Sequence, residues 1–182
     1  MKVVALMGEP GCGKSTLMRR LMTQWRFDAT TLKQDFKLVP YHYRGFPNGD
    51  IYILGKYEEG EVFAGTDRMS MAVQPEAIKF LDTLPDTAII LFEGDRLCTA
   101  SFLENCANKF DTKIIYLQTD RDIRKERYAE RGSNQNETWL AGRESKIGNI
   151  LTNMELMFIT EKMKNNNIEE QNIVVDYINT LL

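Results

Sequence analysis

Four residues near the start of the chain have the types and spacing of a phosphate-binding loop. Gly8, Gly13, Lys14 and Ser15 fit the pattern G-x-x-x-x-G-K-[ST], in which glycines let backbone N–H groups point at phosphate oxygens. The lysine of this pattern reaches the β- and γ-phosphates of a nucleoside triphosphate, and the hydroxyl after it binds Mg²⁺. The predicted nucleotide-binding residues of this loop are Gly8, Pro10, Gly11, Cys12, Gly13, Lys14, Ser15 and Thr16.

The residues around the loop supply the context that this motif needs. Residues 3–7 form a continuous apolar run, as expected of a parallel strand buried on both faces. Residues 15–25 place Leu17, Leu21 and Trp25 at helical spacing, which predicts an amphipathic helix. The N-terminus of such a helix attracts anions through its dipole and its unpaired N–H groups. The alternative, a chance glycine turn, does not explain a strand before it and a helix after it.

A second apolar run, residues 88–92, leads directly into Glu93-Gly94-Asp95-Arg96. This is the form of a Walker B strand, whose terminal carboxylate holds Mg²⁺ through water or orients an acceptor hydroxyl. We therefore predict a metal site formed by Ser15, Glu93 and Asp95. Asp95 is also a candidate catalytic residue, and Arg96 a candidate for acceptor binding.

A second strand is predicted at residues 29–32. Polar residues that follow it would lie at the same edge of an open sheet as the phosphate loop, where ligands bind.

From residue 36 to 66 the sequence is rich in aromatics and glycines, with a strand signal only at 51–54, and predicts an irregular, partly β insertion. Basic and aromatic residues interleave there, which suits a stacked base with a neutralised phosphate, so Lys37, Tyr41 and Arg44 are candidate acceptor contacts. An aromatic core beneath a long loop is the alternative.

The turn Gly65-Thr66-Asp67-Arg68 precedes a helix predicted to run from Pro75 to Leu84. Polar clusters on turns of a rigid α/β scaffold are commonly functional, so Thr66, Asp67 and Arg68 are predicted to bind the acceptor. The alternative is a capping turn in which Asp67 and Arg68 are solvated or paired with each other.

Arginines concentrate in a predicted helix at 119–131 and in the stretch that follows its polar breaker at 132–138. Ion pairs at i,i+4 explain most of these charges. Arginines beside a polar loop also suit a lid that closes on a triphosphate and neutralises the transferring group, and we place this lid at 127–146. Arg127, Arg131 and Arg143 are the candidate arginines, the first two for catalysis and nucleotide binding and the third for the acceptor.

The remaining periodicity predicts a helix at 99–108, a strand at 113–118, a long helix at 143–164 and a last strand at 173–175.

All 182 residues fit one domain, and the net charge of −3 gives no general basic field for nucleic acid. Three cysteines without a C-x-x-C pair argue against a zinc site or a disulfide framework and favour a reducing cytoplasm. Residues 1–7 are too short for a signal sequence or a membrane span. Cys12 lies near a helix N-terminus, which predicts a lowered thiol pKa and a reactive thiol.

Strands alternating with helices predict an α/β fold, with a central parallel sheet, helices on both faces and an arginine-rich lid. This order, with the two phosphate-site motifs, resembles the P-loop kinases of the nucleotide and polynucleotide kinase group. The resemblance implies ATP and Mg²⁺ as cofactors, and it implies that Asp35, after the second strand, acts as the base toward the acceptor hydroxyl.

Three stretches are more narrowly similar to phage-encoded kinases of 5-hydroxymethyluracil in DNA. They are residues 63–71 (FAGTDRMSM), 92–97 (FEGDRL) and 131–135 (RGSNQ). This likeness implies a DNA acceptor and action in a host cytoplasm. Two alternatives stay open, a kinase of free nucleotides or another small metabolite, and an ATP-binding switch that transfers no phosphate to an acceptor.

Overall fold

The computed structural model describes residues 1–58, 64–130 and 136–182. Its strands are β1 (Lys2–Met7), β2 (Leu32–Lys33), β3 (Tyr41–Arg44), β4 (Ile51–Leu54), β5 (Ile89–Glu93), β6 (Asp111–Gln118) and β7 (Thr160–Lys164). Its helices are α1 (Lys14–Gln24), α2 (Val73–Asp82), α3 (Ala100–Lys109), α4 (Arg121–Glu130), α5 (Glu137–Thr152), α6 (Met154–Met157) and α7 (Ile168–Leu181). Short 3₁₀ turns lie at Ala29–Thr31 and Thr66–Arg68.

The strands of the described chain form one sheet in the order β2-β3-β4-β5-β1-β6-β7. From β4 to β7 all neighbours in this order are parallel, whereas β3 runs antiparallel to β2 and β4. Strand β1 is central, with Val4 aligned between Leu91 of β5 and Lys113 of β6. Because β1 and β5 are adjacent and parallel, the loops that follow them meet at one edge of the sheet.

Helices cover both faces of the sheet, as the sequence predicts. Val3 and Ala5 of β1 face one apolar cluster, which includes Phe102 of α3 and residues from α2, α5 and α6. Val4 and Leu6 face the other cluster, which includes residues from α1 and α7. Alternate side chains of an extended strand point to opposite faces, so the continuous apolar run at 3–7 is what a strand between two helical layers requires. Full burial of a valine, leucine or methionine side chain of this run stabilises the fold by roughly 1.5–3 kcal/mol.

Two sequence-based predictions near the C-terminus are wrong. The helix expected at 143–164 ends at Thr152, because the Asn153 side chain accepts hydrogen bonds from the backbone N–H groups of Glu155 and Leu156 and starts α6. The chain then forms β7, which pairs with β6. The strand expected at 173–175 lies inside α7, where residues 174, 175 and 178 are buried at helical spacing.

The acceptor-side segment at 36–66 contributes two strands to the main sheet. The strand predicted at 51–54 is confirmed as β4, and it pairs in parallel with β5. The strand predicted at 29–32 is mostly a 3₁₀ turn, because the Asp28 carboxylate accepts hydrogen bonds from the backbone and hydroxyl of Thr30. Only Leu32 and Lys33 form β2.

The described helices include none that is both long and apolar enough to cross a membrane.

The lid region predicted at 127–146 divides between the end of α4 and the first turns of α5. Residues 131–135 of that region lie outside the described residues.

Candidate active site

The loop between β1 and α1 has the backbone geometry that its glycines predict. Gly13 has φ +90°, and a Cβ built there would lie 2.6 Å from Nδ2 of Asn165. Asn165, in the loop after β7, is buried, and its Nδ2 donates to the carbonyl of Cys12 at 2.7 Å. Only glycine combines this conformation with so close an approach. The side-chain amide of the buried Asn165 therefore supports the loop from Gly8 to Ser15.

Lys14 begins α1 and folds back over the loop. Its Nζ donates to the carbonyl oxygens of Gly8 at 2.8 Å and Glu9 at 3.2 Å. Burial alone would lower the pKa of Lys14, but nearby anionic groups, Glu93 and Asp95 among them, raise it above its ordinary value. The ammonium group is therefore charged at neutral pH, as phosphate binding requires.

Ser15 and Glu93 bring the first and second predicted motifs together. The Ser15 hydroxyl donates to Oε1 of Glu93 at 2.9 Å. Glu93 ends β5 and is completely buried, and its Oε2 has no hydrogen-bond partner among the described residues. Burial is the main cause that raises the pKa of Glu93 to about 7. A buried carboxylate oxygen without a partner costs free energy, which is typical of functional sites.

The turn at 65–68 packs against the end of β5. The Thr66 hydroxyl donates to the Glu93 carbonyl at 2.7 Å, and the Asp95 backbone N–H donates to Oδ1 of Asp67 at 3.1 Å. Burial and the charge of Asp95 raise the pKa of Asp67. Asp67 is not paired with Arg68, whose guanidinium contacts the Glu58 carboxylate.

Arg96, the next residue of the second motif, supports the same turn. Its Nε donates to the Met69 carbonyl at 3.4 Å, while its own carbonyl accepts from Gln74 at 2.9 Å. Both partners lie in the segment from the turn into α2. In this structure Arg96 joins that segment to the tip of β5.

Helix α5 brings two cations to the tip of β5. Nε of Arg143 lies 3.0 Å from Oδ2 of Asp95, and Nζ of Lys146 donates to the Asp95 carbonyl at 2.7 Å. The Arg143 guanidinium also lies 4.8 Å from the ring centroid of Trp139, one turn earlier in the helix. Burial lowers the pKa of Lys146, which is consistent with its position at this crowded edge.

Arg127 of α4 contacts the back of the phosphate loop. Its guanidinium donates to the carbonyl oxygens of Gly11 at 3.3 Å, Asn165 at 3.1 Å and Asn166 at 2.9 Å. A cavity of about 220 Å³ lies beside it, lined by Gly13, Thr16, Arg127, Glu130 and Gln171. Arg127 thus joins the lid region, the loop and a cavity next to the loop.

The candidates between β2 and β3 are engaged with their own neighbourhood. Tyr41 is buried, and its ring centroid lies 4.6 Å from that of Phe80 and 5.7 Å from that of Tyr52. Burial and a hydrogen bond with Asp35 raise the pKa of Tyr41 to about 12. Asp35 itself is exposed, two residues after β2.

The two basic candidates of this segment also have partners. Lys37 is largely exposed and lies 3.9 Å from the Glu76 carboxylate of α2. The Arg44 guanidinium donates to the backbone carbonyl of Arg26. The aromatic core that the sequence left open as an alternative is therefore present, built from Tyr41, Tyr43, Tyr52 and Phe80.

The expectation of a reactive Cys12 is wrong. The thiol is buried, and burial raises its pKa above the ordinary value. Desolvation disfavours the thiolate more than the start of α1 stabilises it. Two other sequence-based predictions, the candidate Arg131 and the motif at 131–135, lie outside the described residues.

The predicted phosphate, metal and turn residues thus converge on one corner, where β1 and β5 end and α1 begins. A family model described as P-loop Nucleotide Kinase3 matches residues 1–168. The chain belongs to this family. It is a phosphotransferase of the kinase type, and its mostly parallel sheet with helices on both faces is the P-loop kinase architecture.

Three solved structures align with nearly the whole kinase at low identity. An uncharacterized protein from Eubacterium ventriosum is 11% identical, covers 98% of each chain and has a TM-score of 0.48. Shikimate kinase from Bacteroides thetaiotaomicron is 12% identical over 98% of this chain and 96% of its own, with a TM-score of 0.46. A gluconokinase from Sinorhizobium meliloti is 9% identical over 97% and 93%, with a TM-score of 0.49. No curated protein matches the sequence.

Three residues of this corner escaped the sequence-based predictions. Lys146 follows Arg143 by three positions, so helical spacing could have placed both on one face of α5. Asn165 lies in a run of three asparagines, residues 165–167, which by its composition indicates only a chain break. Tyr57, whose hydroxyl lies 3.4 Å from Oε1 of Glu93, follows a strand in a segment with no motif, and no signal in the sequence indicates its role.

Proposed function

We propose that this kinase transfers the γ-phosphoryl group of Mg²⁺-bound ATP to a hydroxyl of a nucleic-acid acceptor, the 5-hydroxymethyl group of uracil in DNA. The observation that carries phosphoryl transfer is the 2.9 Å hydrogen bond from Ser15 to the buried carboxylate of Glu93, next to Lys14. It joins the residues that would hold the metal and the triphosphate. The proposed identity of the acceptor depends on the resemblance of residues 63–71, 92–97 and 131–135 to the phage DNA kinases.

Lys14 and the backbone N–H groups of the loop would hold the β- and γ-phosphates. The Lys14 ammonium already lies over the loop, 2.8 Å from the Gly8 carbonyl, and would exchange this contact for phosphate oxygens. Such a site catalyses mainly by positioning and by charge stabilisation, because phosphoryl transfer asks little covalent chemistry of the protein. The cavity beside Gly13, Thr16 and Arg127 lies where the nucleoside part of ATP would fit.

The residues present suit Mg²⁺. Ser15 offers a hydroxyl, and the unpartnered Oε2 of Glu93 offers a hard oxygen ligand, directly or through water. The described residues contain no group of three or more His, Cys, Asp and Glu side chains that could hold a metal by themselves. This agrees with Mg²⁺ in phosphoryl transfer, which binds one or two carboxylates and completes its shell with phosphates and water. When bound, the ion would neutralise charge on the transferring group.

On the acceptor side, we infer that Asp95 orients the hydroxyl and accepts its proton. Asp95 belongs to the same motif as Glu93, and Asp67, Arg143 and Lys146 surround it. Arg143 would then move from Asp95 toward the γ-phosphate as the lid at 127–146 closes. Asp35 is the rival base that the family resemblance implies, and Arg131 the rival arginine.

Free nucleotides or another small hydroxyl compound are the second candidate class of acceptor. Tyr41 and Tyr52 are buried and pack against each other and against Phe80, so neither ring presents an open face for a base. Lys37 and Arg44 already contact Glu76 and the Arg26 carbonyl. A DNA strand would have to displace these contacts, whereas a small acceptor would not.

One labelling experiment separates these possibilities. The protein is incubated with γ-labelled ATP, Mg²⁺ and, in parallel, an oligonucleotide containing 5-hydroxymethyluracil, the same oligonucleotide with thymine, and a panel of nucleosides, nucleotides and small polyols. Label in the hydroxymethylated oligonucleotide alone supports the proposal. Label in a small compound establishes the second class, and ATP binding with no labelled product indicates a switch that transfers nothing.

A further inference from the structure

The hydroxyl of Tyr57 lies beside the carboxylate that the proposed metal site uses. It donates to Oε1 of Glu93 at 3.4 Å, the oxygen that also accepts from Ser15 at 2.9 Å. Two hydroxyl donors thus point at one oxygen and leave Oε2 without a partner among the described residues. At 3.4 Å the contact is long for an O–H···O hydrogen bond, and such bonds in active sites commonly shorten when the substrate complex forms.

The backbone around Tyr57 places its ring at this point. Lys56 and Gly65 form an antiparallel bridge, with hydrogen bonds of 3.2 Å and 2.7 Å between their backbones. Tyr57 follows directly, and its ring centroid lies 6.0 Å from that of the buried His42. The position is therefore set by the main sheet through β3 and by the bridge.

Gly65 closes the site from the other side. Its φ is +69°, and a Cβ there would lie 2.4 Å from Oε1 of Glu93 and 2.6 Å from the Tyr57 hydroxyl. Both distances are too short for real atoms, so the backbone of Gly65 covers the pair with no side chain between. Next along the chain, Thr66 donates to the Glu93 carbonyl. Tyr57, Gly65 and Thr66 thus all lie against Glu93.

From this geometry we propose that Tyr57 is a positioning residue for the metal site, holding Glu93 so that Oε2 faces the ion. The Ser15 hydroxyl can offer its lone pair to Mg²⁺ while its hydrogen stays on Oε1, and Tyr57 keeps the carboxylate from rotating as this happens. Partners of metal ligands at one remove typically contribute 10- to 100-fold to metal affinity. This inference rests on the proposed function, because it assumes that Glu93 serves Mg²⁺.

The test is the Mg²⁺ dependence of ATP binding, measured by calorimetry on the full chain with EDTA as the metal-free reference. In Tyr57→Phe the Mg²⁺ concentration for half-maximal strengthening of ATP binding rises about tenfold, while metal-free ATP binding stays as in the wild type. Tyr43→Phe is the matched control, since it removes a tyrosine hydrogen bond, 3.1 Å to Asp50, from the nearby strand β3. It leaves both quantities unchanged.

A second background shows whether Tyr57 acts through Glu93. In the Glu93→Gln variant, adding Tyr57→Phe does not further change the Mg²⁺ midpoint, which is the Mg²⁺ concentration for half-maximal strengthening of ATP binding. An unchanged midpoint in the single variant Tyr57→Phe, or an equal loss of metal-free and Mg²⁺-dependent binding, overturns the inference and leaves the proposed function standing. Wild-type ATP binding that ignores Mg²⁺ overturns both.

Discussion

Arg143 of α5 contacts the carboxylate of Asp95 at the tip of β5, with Nε 3.0 Å from Oδ2. Both side chains are about four-fifths buried, at 22% and 20% exposure, so water screens this ion pair only weakly. The pair joins the predicted lid to the predicted Walker B motif. The contact also occupies Oδ2 of Asp95, so the proposed movement of Arg143 toward the γ-phosphate would free that oxygen for the acceptor hydroxyl.

Removing Lys14 should abolish most turnover without unfolding the protein. We expect Lys14→Ala to lower kcat by about 10²- to 10³-fold, because one preorganised charge facing the transferring phosphoryl group is lost. Lys109→Ala is the matched control, since it removes a lysine paired with Asp82 at 2.8 Å on the surface. Near-normal turnover in the Lys14 variant, with an unchanged unfolding midpoint, would contradict the site.

Arg143 and Asp95 should be energetically coupled. We expect Arg143→Ala to lower kcat at least tenfold, because it removes the proposed lid arginine. Combined with Asp95→Asn in a double-mutant cycle for unfolding, it should show a coupling of about 0.5–3 kcal/mol. Strict additivity in that cycle would show that the 3.0 Å contact is not made in solution.

The stability of the metal-free protein should fall as the pH rises from about 4.5 toward about 7. Folding raises the pKa of Glu93 from its ordinary 4.5 to about 7, chiefly through burial. In this window the folded protein holds a proton that the unfolded chain has released, so stability is fullest below it and declines as pH rises. In Glu93→Gln we expect this decline to flatten by on the order of 1–3 kcal/mol. Urea unfolding across the range, with EDTA present, measures it, and parallel curves for the two proteins would refute it.

His42 should titrate below the ordinary histidine pKa of 6.5. It is buried, burial lowers its pKa, and its Nε2 has no hydrogen-bond partner among the described residues. Because the folded state favours neutral imidazole, this contribution to stability is complete above pH 6.5 and is lost as the pH falls through the folded pKa. The sequence contains one histidine, so its ring protons give a single NMR titration curve. A midpoint at or above 6.5 would contradict the buried position.

The sequence predicted best where chemistry depends on residues close together in the chain. The loop from Gly8 to Ser15 and the strand ending at Glu93 carry motifs with few alternative explanations, and both lie where expected. Predictions failed where a short apolar pattern fits both the periodicity of a strand and that of a helix. Residues 173–175 read as a strand, yet Asn167 accepts a hydrogen bond from the backbone of Glu170 and begins a helix there. Residues 160–164 carry almost no strand signal. They nevertheless form strand β7, because they can pair with the side of β6 that faces away from β1.

By itself the sequence determined that this chain binds a nucleoside triphosphate and folds as alternating strands and helices, because the phosphate loop is a local structure encoded in consecutive residues. Only the tertiary structure decided which distant groups join it. Tyr57, Lys146 and Asn165 reach the site through sheet order and helix placement, which depend on packing across the whole chain. For the same reason it separated Lys37, Tyr41 and Arg44, which share a short stretch of sequence but contact α2, the aromatic core and the Arg26 carbonyl, respectively.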